Sequence, residues 1–172
     1  MDSIQFGCRF GQLVGFIFAT HGEHPTKPSK AFRKWDGQTP YAVHPLWCAT
    51  MLLAEPALPE ELRVHGSEAL LLHDVLEDTT EGLPVGTSEK VTSLVEDMTF
   101  SSSDEEMEKV WSKSDEVILL KLYDKVSNLL DGCWMSAEKR QKYVAHTLRL
   151  ASRVERVYGQ LNIIRITRAI CE

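Results

Sequence analysis

Apolar residues recur every three or four positions through most of this chain, which is the spacing of one face of an α-helix. Clusters of turn-forming residues separate the apolar blocks. Strict alternation of apolar and polar residues, which would indicate strands, does not describe these blocks. The pattern therefore predicts an all-α fold, a helical bundle.

The same pattern, with its capping residues, predicts where the helices begin and end. Small N-cap residues precede three of them, namely Ser88, Ser114, and Ser103 with Glu106 as a capping box. Gly159 is expected to end the longest helix. The predicted helices cover residues 3–21, from near Pro45 to before Pro56, 60–78, 89–98, from 103 onward, from 115 through the following apolar run, 137–158 and 160–170, and a long loop covers 22–40.

Length and composition narrow the class of protein. A chain of 172 residues, 43% hydrophobic and 26% charged, is typical of one globular domain, so residues 1–172 are predicted to form a single domain. The four cysteines form no CxxC pair, and we expect them to be reduced. Neither a secretion signal nor an apolar run of membrane-spanning length is evident, which favours a cytoplasmic protein without membrane association.

Charge restricts the partners. The formal net charge is -6, whereas a general nucleic-acid binder usually has a broadly basic face, so no nucleic-acid partner is expected. Positive charge is nevertheless concentrated locally, at Lys27, Lys30, Arg33 and Lys34. An anionic ligand would have to be bound by such local charge or by a metal.

One candidate site lies in the segment ALLLHDVLED, residues 69–78. His73, Asp74, Glu77 and Asp78 are spaced i, i+1, i+4 and i+5, which on a continuous helix gathers them on one face. The remaining positions are almost all apolar. The simpler alternative is an amphipathic helix whose acidic face meets water.

A second polar stripe lies in EVILLKLYDKVSNLL, residues 116–130. Lys121, Asp124, Lys125 and Asn128 share one face of a helix that is otherwise apolar. Buried charges are costly unless they are paired or bound to metal, so this stripe is expected to face a site. A plain Asp–Lys surface pairing is the alternative.

His44 completes a set of possible metal ligands. Alone, a histidine at a loop-to-helix junction is more often a capping or packing residue. Together with His73, Asp74 and Asp124, however, it provides two imidazoles and two carboxylates, a donor set suited to manganese, iron or zinc. Four such ligands leave coordination positions for water or a substrate oxygen.

These residues bring out a resemblance. His44, the His73–Asp74 pair, the Glu77–Asp78 pair and Asp124 occur in the order typical of the HD superfamily of metal-dependent phosphohydrolases. More narrowly, HGEHP, FRKWDGQTPYAVHP, ALLLHDVLEDTT and LLKLYDKVSNLLD resemble the (p)ppGpp hydrolase domain of the RelA/SpoT family and its small stand-alone relatives, the metazoan SpoT homologues. The likeness extends over roughly residues 10–158.

The resemblance implies a helical bundle of the HD-domain type and assigns roles to individual residues. His44, His73, Asp74 and Asp124 would bind one divalent metal, usually manganese in that family. Glu77 and Asp78 match the catalytic acidic pair. The implied substrate-binding residues are Arg33, Lys34 and Asn128, which match positions that line the nucleotide pocket, with Lys121 and Lys125 as phosphate contacts.

The chain also departs from the family pattern. The loop between His21 and Arg33 is longer than the family's usual connection. The family's threonine-lysine after the next helix is replaced by Thr99-Phe100, and TTEGLPVGTSEK replaces the usual segment after Asp78. These departures affect the expected substrate contacts more than the metal ligands.

The resulting functional hypothesis is a manganese-dependent enzyme of the stringent response that removes the 3′-pyrophosphate from guanosine tetra- or pentaphosphate, with metal-bound water attacking the phosphoryl group. Two alternatives remain open. One is an HD phosphatase acting on another nucleotide, such as a nucleoside phosphate or NADPH, since related scaffolds differ in substrate. The other is a non-catalytic nucleotide or metal sensor on the same fold. The sequence does not specify the oligomeric state.

Overall fold

The computed structural model describes residues 2–171, and its regular structure is helical. Over that range there are no strands, only the isolated bridges Pro25–Thr79 and Phe32–Pro40. The prediction of an all-α fold is confirmed. The α-helices are α1 (Ser3–Glu23), α2 (Val43–Leu53), α3 (Glu60–Leu72), α4 (Val75–Asp78), α5 (Glu89–Met98), α6 (Ser103–Lys109), α7 (Asp115–Leu130), α8 (Ala137–Tyr158) and α9 (Asn162–Cys171), with short 3-10 turns at Pro28–Lys30, Val110–Ser112 and Gly132–Trp134.

Helix α7 lies at the centre of the bundle and packs against α2, α3, α8 and α9. Residues 117–127 are all buried, including the charged members of its polar stripe. A helix that is apolar nearly all round has no face to give to solvent, which explains its central position. The stripe is therefore buried inside the protein, and a pairing on the surface is excluded.

Several predicted helix ends are confirmed. The hydroxyl groups of Ser88 and Ser114 accept hydrogen bonds from the backbone N–H groups of Val91 and Val117, and each caps its helix. Gly159 ends α8 with a φ of 79°, a left-handed conformation that favours glycine. The final helix begins at Asn162, two residues later than predicted.

The predicted capping box at the start of α6 is wrong by one residue. Ser102, not Ser103, is the N-cap, and its hydroxyl accepts a hydrogen bond from the Glu105 N–H group. Glu105 accepts in turn from the Ser101 N–H group. Glu106 is thereby released from any capping role, and its side chain turns into the protein.

The predicted helix over 60–78 is interrupted at His73 and Asp74, so that α3 ends at Leu72 and α4 begins at Val75. In an unbroken helix the carbonyl of Leu70 would accept from the Asp74 N–H group. Here the imidazole of His73 hydrogen-bonds that carbonyl through Nδ1, at 2.7 Å. A side chain thus competes for the bond that would have continued the helix, and the His-Asp pair lies at the break.

The loop between α1 and α2 lies against the end of α4. Its Thr26 N–H group donates to the Asp78 carbonyl, and the Thr80 N–H group donates to the His24 carbonyl, both at 2.9 Å. These bonds place residues 24–31 beside the acidic pair. The loop begins only after Glu23, because α1 is two residues longer than predicted.

None of the helices in the described residues is long and apolar enough to span a lipid bilayer.

Candidate metal centre and active site

Three separate elements contribute the predicted metal ligands. His44 lies in the first turn of α2, His73 and Asp74 lie at the break between α3 and α4, and Asp124 lies in the middle of α7. One potential ligand atom from each of His44, His73 and Asp124 lies within 4.8 Å of the others. The centroids of the two imidazole rings are 5.2 Å apart, and the rings meet edge to face. All four side chains are buried.

Asp74 completes the group from the side. Its Oδ2 atom lies 3.1 Å from Nε2 of His73 and 3.5 Å from Nε2 of His44. The same oxygen accepts a hydrogen bond from the Tyr41 hydroxyl, at 2.7 Å. Burial would raise the pKa of Asp74, but the neighbouring His73 and His44 together lower it. The four residues selected from the sequence therefore converge.

The hydrogen bonds of the imidazoles direct their Nε2 atoms toward the centre of the cluster. His73 Nδ1 must donate its proton to the Leu70 carbonyl, since a carbonyl oxygen can only accept. His44 Nδ1 lies 2.8 Å from the Ser127 hydroxyl oxygen. Both Nε2 atoms are buried without a hydrogen-bond partner among the described residues.

The chemistry of this donor set fits a cation. His73 Nε2 lies 3.1 Å from Asp74 and 3.8 Å from Asp124, so a bare lone pair would face two carboxylates. Burial lowers the pKa of His73, but Asp74 and then Asp124 raise it to about 10. The field that holds a proton there also favours a divalent metal, which would displace that proton. Neutral imidazoles with carboxylates suit manganese, iron or zinc.

The acidic pair lies on α4, next to this cluster. Glu77 is half-buried and accepts a hydrogen bond from the Phe100 N–H group at 2.8 Å. Burial and, after it, the charge of Asp74 raise the pKa of Glu77 to about 7. A carboxyl group with that pKa can exchange a proton near neutral pH.

Asp78, the second member of the pair, is buried and forms an ion pair with Lys30. Burial raises the pKa of Asp78, as does Asp74, whereas Lys30 opposes the shift. The two carboxylates therefore have different surroundings, since only Asp78 has a lysine on its carboxylate.

Lys121 and Lys125 are buried in a charge network next to the four candidate metal ligands. Lys121 Nζ lies 3.0 Å from Glu106 and 3.3 Å from Asp124, and Lys125 Nζ lies 2.7 Å from Glu106 and 3.1 Å from Asp124. Both lysines also line a cavity that is bordered by the acidic pair. Their suggested role as phosphate contacts remains a prediction, because in this structure their ammonium groups are already paired with carboxylates.

Sequence reasoning missed Glu106, which it assigned to a capping box. The side chain is 5% exposed and bridges the two lysines. Burial would raise the pKa of Glu106, but Lys125 and Lys121 together lower it. Two buried lysines close to a single aspartate were the available signal that a further carboxylate was needed.

Arg33 and Asn128 form a chain of hydrogen bonds that leads to Asp124. Arg33 Nε donates to Asp131 at 2.6 Å, and one of its terminal nitrogens donates to the Asn128 side-chain oxygen at 3.1 Å. Asn128 donates in turn to Asp124 at 2.7 Å. Lys34, in contrast, is exposed and lies over the Trp134 ring, 4.4 Å from its centroid. Arg33, Lys34 and Asn128 line the same cavity as Lys121 and Lys125, so all five predicted substrate-binding residues lie in its wall.

The cavity has a volume of about 770 Å³, which is in the range that accommodates a small-molecule ligand such as a nucleotide. Asp74 and Asp124 lie in its wall beside the acidic pair. Lysine side chains from the α1–α2 loop and from α8 also line it, namely Lys27, Lys30, Lys34 and Lys139. This local positive charge suits a polyanion, although the whole chain carries a formal net charge of -6.

Two further residues support the cluster without having been selected from the sequence. Tyr41 holds Asp74 through its hydroxyl, and its ring centroid lies 4.9 Å from that of the buried His21. Burial lowers the pKa of His21 to about 4, so this ring is neutral and packs against the tyrosine. Ser127 orients His44. Such contacts fix the orientation of the side chains that could bind a metal.

Comparison with known proteins supports the resemblance. No protein-family model matches the chain. A curated relative, the guanosine-3′,5′-bis(diphosphate) 3′-pyrophosphohydrolase of Aquifex aeolicus, is 32% identical over 148 residues, spanning 78% of this chain. The chain spans only 19% of that relative's length.

A solved structure has the same fold. It belongs to a metazoan ortholog of SpoT that is described as hydrolysing ppGpp and playing a role in starvation responses. The TM-score is 0.71 and the sequence identity 23%, with 94% of this chain and 92% of the other covered. The predicted resemblance is therefore confirmed in sequence similarity to the hydrolase and in fold.

Proposed function

We propose that this protein is a metal-dependent phosphohydrolase that removes the 3′-pyrophosphate from guanosine tetra- or pentaphosphate. The observation that carries this proposal is the convergence of two buried imidazoles and two buried carboxylates at the wall of a lysine-lined cavity. The substrate is taken from the name of the relative in Aquifex aeolicus, because the cavity itself selects only for a polyanion of nucleotide size.

His44, His73, Asp74 and Asp124 would hold the metal, for which manganese is our choice within the range that these donors suit. When bound, such a metal polarises a phosphoryl oxygen and acidifies water. We propose that residues 1–172 supply this site as one domain.

Glu77 is the proposed general base. Its hydrogen bond from Phe100 N–H occupies Oε1 and orients the carboxylate, which leaves Oε2 to accept the proton of the attacking water. Attack on the phosphorus attached to the ribose 3′-oxygen breaks the phosphorus–oxygen bond and releases pyrophosphate. The proton taken by Glu77 can then return to the departing 3′-oxygen, which balances the reaction.

Asp78 and the lysines have positioning and binding roles in this proposal. Asp78 is held by its ion pair with Lys30 and helps to orient the attacking water. Lys27, Lys34 and Lys139 offset the negative charge of the substrate at the cavity wall. Lys121 and Lys125 act mainly on Asp124, whose pKa they lower although burial would raise it.

The test is an assay of product release by purified protein with added manganese. Pyrophosphate and guanosine diphosphate from guanosine tetraphosphate would support the proposal. Release of orthophosphate from another nucleotide, such as NADPH, without alarmone hydrolysis would mean that this other nucleotide is the substrate. Tight nucleotide binding without turnover for several metals would indicate a sensor. The matched inactive control is Asp124→Asn, which keeps the shape of the side chain and removes a ligand charge.

A further inference from the structure

We infer that Lys30, from the long loop between α1 and α2, is a positioning residue that acts on the reaction through Asp78. This inference rests on the proposed function, because it assumes that the acidic pair takes part in hydrolysis. It concerns a residue that lies between two of the motifs that carry the family resemblance, HGEHP and FRKWDGQTPYAVHP.

The first support is the ion pair itself. Lys30 Nζ contacts Asp78 Oδ1, joining two residues that are 48 positions apart in the chain. The Asp78 side chain is only 6% exposed and that of Lys30 is 36% exposed. A buried carboxylate with a cation at its open side is held both in charge and in direction, unlike an exposed ion pair.

The second support is the way in which the loop is attached. The backbone N–H group and the hydroxyl of Thr26 both donate to the carbonyl of Asp78, at 2.9 and 3.1 Å. The bridge between Pro25 and Thr79 continues this contact. The 3-10 turn at Pro28–Lys30 then returns the chain so that Lys30 reaches the carboxylate of the residue whose backbone anchors the loop.

Within the described residues, the other groups around the Asp78 carboxylate do not supply a second positive charge in contact with it. Asp74 lies close enough to oppose its ionisation electrostatically, and the hydroxyl proton of Tyr41 is donated to Asp74. Lys30 is the cation that the structure places directly on Asp78. Without it, burial and the Asp74 charge would both favour the protonated or displaced side chain.

The experiment compares steady-state alarmone hydrolysis by wild type, Lys30→Met, Lys30→Arg, Asp78→Asn and the double variant Lys30→Met/Asp78→Asn. We expect Lys30→Met to lower kcat by roughly tenfold or more with KM nearly unchanged, and Lys30→Arg to restore most of the loss. If Lys30 acts through Asp78, the double variant should have the same kcat as Asp78→Asn, because the two effects are not additive.

The matched control is Lys113→Met. Lys113 also pairs with an aspartate, Asp97 at 2.7 Å, with a side chain 31% exposed, and it does not line the cavity. This variant should retain wild-type kcat and KM. The inference is overturned if Lys30→Met lowers kcat by the same factor in the wild-type and Asp78→Asn backgrounds, or if it raises KM alone, which would make Lys30 a direct substrate contact.

A second readout does not depend on turnover. Carbon-13 NMR of the aspartate carboxyl groups in zinc-loaded protein should show the pKa of Asp78 rising by roughly one unit in Lys30→Met and not in Lys113→Met. An unchanged pKa of Asp78 overturns the inference, whatever the substrate. If the pKa of Asp78 rises but wild type hydrolyses no alarmone, the proposed function fails and the Lys30–Asp78 coupling stands.

Discussion

Replacing Glu77 by Gln should destroy turnover and at the same time stabilise the folded protein at alkaline pH. Gln keeps the shape of the side chain and an oxygen that can accept the Phe100 N–H bond, which is 2.8 Å long in the wild type. Only the ionisable group is removed. Loss of the base should lower kcat by about 10²- to 10⁴-fold.

The stability effect follows from the raised pKa. Burial, then Asp74, moves the pKa of Glu77 from 4.5 to about 7 in the folded protein, which therefore binds this proton more tightly than the unfolded chain does. Wild type consequently loses free energy of unfolding as the pH rises from about 4.5 to about 7. At 1.36 kcal/mol per unit, the shift corresponds to at most about 3 kcal/mol, and solvent around this half-buried side chain reduces it to roughly 1–2 kcal/mol.

Urea unfolding of wild type and Glu77→Gln in the presence of a chelator, at pH 4 and pH 8, measures this difference. The chelator matters because a bound cation would favour the ionised carboxylate and conceal the cost. We expect Gln to stabilise the protein by roughly 1–2 kcal/mol at pH 8 and by nothing measurable at pH 4.

Glu138→Gln, on a side chain that is 82% exposed, is the control and should show no pH-dependent difference. An equal effect of Glu77→Gln at both pH values would mean that the folded structure does not penalise the Glu77 carboxylate. The reasoning that makes it the base would then be refuted.

Three further predictions concern the support of the site and the packing of the bundle. Ser127→Ala removes the partner of His44 Nδ1 and should weaken metal affinity about 10- to 100-fold in a competition titration, with the fold retained by circular dichroism. Glu106→Gln leaves two buried lysines without their shared carboxylate, and urea unfolding should show a loss of about 3 kcal/mol; a loss below 1 kcal/mol would contradict the network. Gly66→Ala places a Cβ 2.7 Å from Leu52 Cδ2 and should destabilise the protein by about 1–3 kcal/mol, whereas Gly11→Ala, with open space around it, should stabilise helix α1 by about 0.5–1 kcal/mol.

Much of the fold could be predicted because the relevant signals are local. The caps at Ser88 and Ser114 and the stop at Gly159 each depend on backbone groups within four residues, so a short stretch of sequence contains all the interacting atoms. The central position of α7 follows from its apolar surface. The error at Ser102 and Ser103 has the same origin, since consecutive serines offer the same cap at adjacent registers.

The candidate ligands could also be selected from the sequence, although their convergence could not be shown from it. His73 and Asp74 are adjacent, and Asp124 lies on a helix that must be buried, so each carried its own signal of an unusual environment. The break between α3 and α4 had no such signal. It depends on the hydrogen bond from the imidazole of His73 to the Leu70 carbonyl, which is stable only where the ring is packed inside the protein.

The sequence by itself determined which segments are helical, which helix must be central and which side chains could bind a cation, because periodicity, caps and donor types are properties of neighbouring residues. Only the tertiary structure decided what surrounds each charge. Lys30 meets Asp78 across 48 positions, and Glu106 meets Lys125 across 19. The energy of a buried charge depends on the groups around it in space, and those groups come together only when the helices pack.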